Sequence, residues 1–271
     1  SKKYGADAVK LQTFDEKMMT LNSKKNSFLI KSGLWKGYSL WQLYKKAKTP
    51  FSWHAELFDY AKKIGIKCFS SPFNSTAVDF LEDLKCPIFK IASFEITDIP
   101  LIERIAKTKK PVILSTGLAS IKEIDLAYRT LLKNGTKNIA ILYCVSNYPS
   151  KIEDFNLKNI TFLKKRYKCK IGLSDHSTDN RVAIAAVSLG AEIIEKHVAL
   201  AYQKKGLDLS FSLKGEEILS FKNDMKDTFN LLGRDNFLRK KIEKKNLVYR
   251  RSLFAVEEIK KGQKFSNNNL K

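Results

Sequence analysis

The sequence predicts an α/β protein of the (β/α)8 TIM-barrel type, lacking its first strand and followed by the start of a second, smaller domain. Three observations predict it. Seven short apolar or β-branched runs follow one another, and helical stretches lie between nearly all of them. The units recur at roughly 20–30 residues, the repeat of βαβ connections feeding a parallel sheet. No glycine-rich phosphate fingerprint follows the first run, which disfavours a doubly wound sheet and leaves the barrel. The chain opens abruptly inside a strand-like run, so the missing eighth strand is expected to be the first.

The elements can be justified in order. "DAVKLQ" (7–12) alternates like a strand. The region 13–49, with "TLNSKKNSFLIKSGLWKGYSLWQLYKKAKTP", exceeds an ordinary loop and follows the active end of a strand. It reads either as a partial lid or substrate wall, or as a surface excursion with a short helix at 38–47. A helix is expected over 50–64, with Thr49 as N-cap, Pro50 in the first turn, and Trp53, Leu57, Ala61 and Ile64 on one face. The remaining strands are "KCFSSPF" (67–73), "IFKIAS" (88–93), "PVILST" (111–116), "IAILYC" (139–144), "KIGLSD" (170–175) and "EIIEKH" (192–197). A last helix over 214–232 carries Ile218, Phe221, Met225, Phe229 and Leu232 at helical spacing and stops at Gly233. The expected division is a barrel over 1–232, a charged linker over 233–250, and a new unit over 251–271 built from a strand, a KKGQ turn and a helix start.

Composition narrows the partners. At 271 residues and 44% hydrophobic, the chain can bury one large core. No run is long and apolar enough to span a bilayer or serve as a signal peptide, so a cytoplasmic protein without membrane contact is expected. Cys68, Cys86, Cys144 and Cys169 form no CxxC pair, which suits reduced thiols. The formal charge of +22 raises a polyanion partner. However, lysine dominates, is spread along the helices, and forms no arginine block or aromatic–basic ribbon, so a solvated surface and no nucleic acid are expected.

In a parallel barrel the C-terminal strand ends converge on one cavity. The polar residues there are Lys10 and Gln12, Ser70 and Ser71, Lys90, Ser93 and Glu95, Ser115 and Thr116, Tyr148, Ser174 and His176, and Glu195 and His197. Residues two apart share a strand face. Lys10/Gln12, Ser174/His176 and Glu195/His197 obey this rule; Lys90 and Ser93 do not, so one must lie past a bend. Two imidazoles on adjacent strands can hold a divalent ion, with water and substrate oxygens completing the shell. Alternatively, each imidazole hydrogen-bonds within a polar core. Lys10 and Lys90 read either as an anion site for phosphate or carboxylate, or as buried ion pairs with Glu95 or Glu195. His54, beside Trp53 on a helix, reads as a surface or packing residue.

The stretches "GADAVKLQTF", "FSSPF", "FKIASFEITDIPLIERIAKTKKPVILSTG", "CVSNYPS", "GLSDHS", "LGAEIIEKHV" and "RRSLFAVEEIKKGQ" together resemble the sialic acid synthase family, over nearly the whole chain. "SGLWKGYSLWQLYKKAKTPFSWHAELF" is most similar to its pseudaminic acid synthase branch. The resemblance implies condensation of phosphoenolpyruvate with an N-acetylated aminosugar, a Mn2+ or Mg2+ cofactor, and a barrel followed by an antifreeze-like (SAF) domain. It also implies a homodimer with that domain swapped. By motif it implies that His176 and His197 hold the metal, and that Lys10, Ser71, Lys90, Ser93, Ser115 and Ser174 bind phosphoenolpyruvate. Gln12, Glu95, Tyr148 and Asp208 would face the sugar, and Glu195 would support the metal or its water. Lys90, Glu95 and Glu195 are the expected catalytic groups. The family's glutamate and "NHxG"-like segment on the first strand are absent, as is the C-terminal arginine that it inserts into a neighbouring subunit. Ser146 stands where sialic acid synthases carry an asparagine, which points away from N-acetylmannosamine and towards a trideoxy diacetamido sugar. Legionaminic and N-acetylneuraminic acid synthases are the alternatives within the family. An inactive fragment, or a polyanion-binding barrel, are the alternatives outside it.

Overall fold

A computed structural model describes residues 1–271. The chain divides into two compact units, Ser1–Leu232 and Gly233–Lys271. The larger unit is a seven-stranded parallel sheet: β1 (Ala8–Thr13), β2 (Lys67–Pro72), β3 (Phe89–Ile91), β4 (Val112–Ser115), β5 (Ile139–Cys144), β6 (Lys170–Asp175) and β7 (Ile193–Lys196). Each strand bonds to the next in sequence and the order never reverses, the signature of single winding rather than a doubly wound sheet. All seven expected strands are present, within a residue or two of their expected ends.

The sheet curls strongly. β1 and β7 are its opposite edges, and at the usual strand spacing a flat sheet would hold them about 29 Å apart. Instead, Lys10 Nζ on β1 lies 3.8 Å from Glu195 Oε2 on β7. The seven strands therefore form a half-barrel with one shared concave face.

Between the strands run α1 (Glu16–Met19), α2 (Leu40–Ala47), α3 (Phe51–Lys63), α4 (Ser75–Asp83), α5 (Ile99–Lys107), α6 (Ile121–Lys133), α7 (Lys158–Arg166), α8 (Asn180–Ser188) and α9 (Glu217–Leu232). Side-chain caps start several of them where strand-following loops end. Asn74 accepts from Ala77 N, Asp98 from Leu101 N, and Ser120 forms a capping box with Glu123. The outward strand residues Phe89, Ile91, Leu114, Ile141, Ile171 and Leu173 are fully buried against helix residues such as Ile102, Ile105, Leu131 and Ile160. Each such burial contributes about 2 kcal/mol. This apolar shell leaves the concave face free to be polar.

Several expectations need correction. Pro50 itself, without a side-chain cap, precedes α3. The buried face of α3 is His54, Phe58 and Ala61, whereas Trp53 is exposed. Ala61 lies on the expected face, but His54 rather than Trp53 takes the core position in the first turns: its Nε2 lies 2.9 Å from Thr13 Oγ1, which bonds Ser70 Oγ at 2.6 Å. Ser70 thus faces outward and leaves the candidate site. On α9, Ile218 and Phe221 are buried, but Phe229 and Leu232 are exposed. In Gly233–Lys271 the expected linker contains α10 (Lys241–Lys245) and a 3-10 turn at Asn246–Tyr249. The strand and helix start expected after residue 251 do not form; Ala255 and Leu270 make one isolated antiparallel bridge. A strand needs a partner along its length, and here backbone pairing is confined to Phe254–Val256 against Asn269–Lys271.

Candidate active site

Strand parity and parallel register decide which side chains reach the concave face. Gln12 pairs with Ser71, Ser115 with Leu142, Cys144 with Ser174, and Ser174 with Glu195. With Lys10 on β1 and Lys90 on β3, these strands place a row of polar groups inside, while their neighbours one residue on enter the helix-packed shell. Ser93 and Glu95 occupy a 3-10 turn, Ser93–Glu95, just past β3. That turn resolves the parity conflict between Lys90 and Ser93.

The centre of the cluster is Glu195. Its Oε1 accepts from Ser174 Oγ at 2.7 Å and lies 3.5 Å from Lys90 Nζ, while its Oε2 faces Lys10. Lys90 Nζ also donates to Ser115 Oγ at 2.6 Å. The ion-pair reading of the lysines thus holds for Glu195 and fails for Glu95. Burial pushes the Glu195 carboxyl up, but the Lys10 and Lys90 ammonium groups and the Ser174 hydroxyl outweigh it and hold it well below the usual range. Burial pulls Lys90 down, with Glu195 opposing. One carboxylate thus faces two lysines. Ser71 Oγ, fully buried on β2 and in register with Gln12, has no hydrogen-bond partner. A buried orphan hydroxyl on a sheet face that carries two lysines suits an anionic ligand that accepts hydrogen bonds.

Glu95 has a different environment. Its Oε2 is buried without a partner, and burial raises its carboxyl to about 7. The two carboxyls are driven in opposite directions, the pattern of a site with one fixed anion and one group able to exchange a proton near neutrality.

The two histidines meet at the strand ends. Their ring centroids are 5.4 Å apart. His176 Nδ1 donates to Val145 O at 3.1 Å and lies 3.9 Å from Cys144 Sγ; His197 Nδ1 lies 3.3 Å from Asp208 Oδ2. Anchoring of Nδ1 by a carbonyl or carboxylate is the arrangement that frees Nε2 as a metal ligand. Asp208, expected at the sugar, spends one oxygen on His197. No group of three or more His, Cys, Asp or Glu side chains is arranged to hold a metal ion by itself; two imidazoles alone would leave the other positions of a divalent ion to water and substrate oxygens.

Aromatic rings wall this pair. Tyr148 lies 4.4 Å, centroid to centroid, from His176, and Phe211 lies 5.0 Å from His197. Trp35, from the 13–49 region, stands 5.5 Å from Tyr148 and its Nε1 donates to Leu207 O at 3.1 Å. The wall reading of that region is therefore the one the contacts favour. A groove of about 300 Å³ shares Leu207 with this anchor, but none of the convergent residues lines it.

Sequence reasoning missed Phe211, the specific role of Trp35, and Gly117. At Gly117, with φ +34°, an added Cβ would come within 2.2 Å of Ser93 Cβ. The "STG" that ends β4 was the available signal, because a glycine behind a strand-end serine marks close backbone approach.

These features define a candidate enzyme site of the barrel type: a lysine–glutamate–serine cluster inside a singly wound sheet, beside two neighbouring imidazoles. The chain belongs to the NeuB family, whose description matches residues 1–236. It is 44% identical to the pseudaminic acid synthase of Helicobacter pylori, over all of this chain and 80% of that protein. It is 42% identical to the pseudaminic acid synthase of Campylobacter jejuni, over all of this chain and 79% of that one. Among solved structures it resembles N-acetylneuraminic acid synthetase from Leptospira borgpetersenii, with a TM-score of 0.79 at 30% identity over 91% of this chain and 81% of that one.

Proposed function

We propose that the protein is a pseudaminic acid synthase, condensing phosphoenolpyruvate with a 2,4-diacetamido-2,4,6-trideoxy hexose and releasing phosphate. What supports this reading is that Lys10 and Lys90 both approach Glu195, Lys90 bonds Ser115, the buried Ser71 hydroxyl lacks a partner, and the His176 and His197 rings lie 5.4 Å apart. Identity of 44% and 42% to two pseudaminic acid synthases, over all of this chain and 80% and 79% of theirs, supports the choice of sugar.

In this reading the phosphate and carboxylate of phosphoenolpyruvate face Lys10 and Lys90, with Ser71, Ser93, Ser115 and Ser174 donating hydrogen bonds. Its C3 attacks the aldehyde carbon of the open-chain sugar. Water adds to C2, and the proton it gives up ends on the former aldehyde oxygen, now a hydroxyl; the bond from C2 to the phosphate oxygen then breaks, C2 becomes a ketone, and its hydroxyl proton leaves with inorganic phosphate. The lysines neutralise the carboxylate and the phosphate and stabilise the negative charge that gathers on the phosphate as it leaves. Glu95, raised to about 7, takes the proton from the water. Glu195 cannot, since both lysines hold it ionised and occupied. Tyr148, whose phenol burial pushes up, stays a neutral hydrogen-bond donor to the sugar, with Gln12 and Asp208 alongside. When bound, a Mn2+ or Mg2+ ion held by His176 and His197 supplies Lewis-acid polarisation of a carbonyl. His176→Ala should abolish metal-dependent phosphate release from phosphoenolpyruvate and the diacetamido sugar; a wild-type rate would end the assignment.

The same reading extends to the architecture. We place an eighth strand between β7 and β1, assign 233–250 as a linker and 251–271 as the opening of an antifreeze-like domain, and expect a homodimer with that domain swapped. The protein works in the cytoplasm on this reading; no helix is long and apolar enough to cross a membrane. A sugar panel that includes the legionaminic and N-acetylneuraminic acid precursors tests the substrate, with pseudaminic acid expected as the preferred product.

A further inference from the structure

We propose that the buried Asp175–Lys196 ion pair is a positioning device for the two histidines. It rests on the reading of His176 and His197 as the metal-holding pair. Asp175 directly precedes His176, and Lys196 directly precedes His197. The two are register partners at the ends of β6 and β7, and Lys196 Nζ lies 2.7 Å from Asp175 Oδ2. Lys196 also donates to the Ser177 carbonyl, while Asp175 Oδ1 accepts from Ser177 N at 2.8 Å. Both members are buried, at 5% and 0% side-chain exposure.

The placement is what makes the pair informative. Asp175 continues the strand face that carries Ile171 and Leu173 into the apolar shell, and Lys196 continues the face of Ile194. Burying two charges there costs desolvation that an apolar pair would avoid, so stability alone is a weak reason for it. What an apolar pair cannot supply is direction. On the inner face, the preceding register pair is already tied by Ser174 Oγ and Glu195 Oε1 at 2.7 Å. With Asp175–Lys196 on the outer face, the two strand ends are tied on both sides one residue before each imidazole. The Ser177 bonds carry the same clamp past His176, whose carbonyl accepts from Ser150 N at 3.0 Å. The backbone on both sides of His176, and the strand leading to His197, are therefore held to one another rather than to the helices.

The test is Mn2+ titration without substrate, followed by the paramagnetic signal of free Mn2+, with folding checked by circular dichroism. Asp175→Asn keeps the shape and the acceptor for Ser177 N and removes the charge; Lys196→Met removes the other partner. Each should weaken Mn2+ binding by about ten- to a hundredfold, the usual effect of losing an outer support of a metal ligand. The double variant should lose no more than the worse single, because both break one unit. Lys196→Arg should recover most of the affinity. A folded Asp175→Asn or Lys196→Met variant that binds Mn2+ within about twofold of wild type overturns the proposal; if Lys196→Met does not fold, Asp175→Asn decides. Wild-type protein that takes up no Mn2+, or His197→Ala that matches wild type, removes the metal reading and this proposal with it. That pattern differs from tight wild-type binding that ignores the ion pair.

Discussion

Glu95 and Glu195 are the same residue type under opposite pressures. Two ammonium groups keep Glu195 ionised, whereas burial without a partner lifts Glu95 to about 7. As a base, Glu95 must be deprotonated, so activity should be lost as pH falls through about 7, and Glu95→Gln should cut kcat by about 10²–10⁴ and flatten that limb. A pH–rate profile with saturating substrates checks both. Stability has the opposite sign. A carboxyl whose pKa is raised on folding contributes fully below its unfolded value and loses that contribution as pH rises through about 7. The loss is on the order of 3 kcal/mol. Glu95→Gln, neutral throughout, should therefore gain stability relative to wild type above pH 7 in denaturant titrations. An unshifted profile, or equal stability at pH 5 and pH 8.5, would remove Glu95 from the proton-transfer role.

Elements set the distances between such residues. Gly117, just past β4, lets the loop pass against Ser93 on the turn after β3. Gly117→Ala should force Ser93 away, destabilise the fold by about 1–3 kcal/mol, and raise KM for phosphoenolpyruvate more than it lowers kcat. Urea melts and steady-state kinetics read the two effects separately. This contact also shows where sequence reading stops. Strand runs and the parity of Lys10/Gln12, Ser174/His176 and Glu195/His197 are local patterns, and they located seven strands and most of the concave-face residues. Ser70 defeated the method because it borders Ser71 yet points to the Thr13–His54 network on the other face. His54 defeated it because a buried, hydrogen-bonded imidazole carries no apolar signature. The Lys10–Glu195 contact, the Asp175–Lys196 pair and the Trp35–Leu207 bond join residues 185, 21 and 172 positions apart, and no short window reports such separations.

At the scale of the whole chain, the formal charge is +22, and the candidate site itself carries Lys10 and Lys90. Such a field steers anions. Raising salt from about 10 to about 300 mM should lower kcat/KM for phosphoenolpyruvate several-fold while leaving kcat nearly constant, because only the encounter is screened. A kcat/KM indifferent to ionic strength would make the surface lysines mere solubilising charge. The unreversed strand order carries a further consequence. On a ribosome, each emerging strand can dock beside the one just made, so the outer apolar shell can grow step by step from the N-terminal side. The pocket cannot. Lys10 and Lys90 emerge long before Glu195, and until β7 arrives two cations share a cavity with no counter-charge. A nascent chain can thus be largely folded and still hydrated at its centre, and the carboxylate that quenches this repulsion also ties β7 to β1.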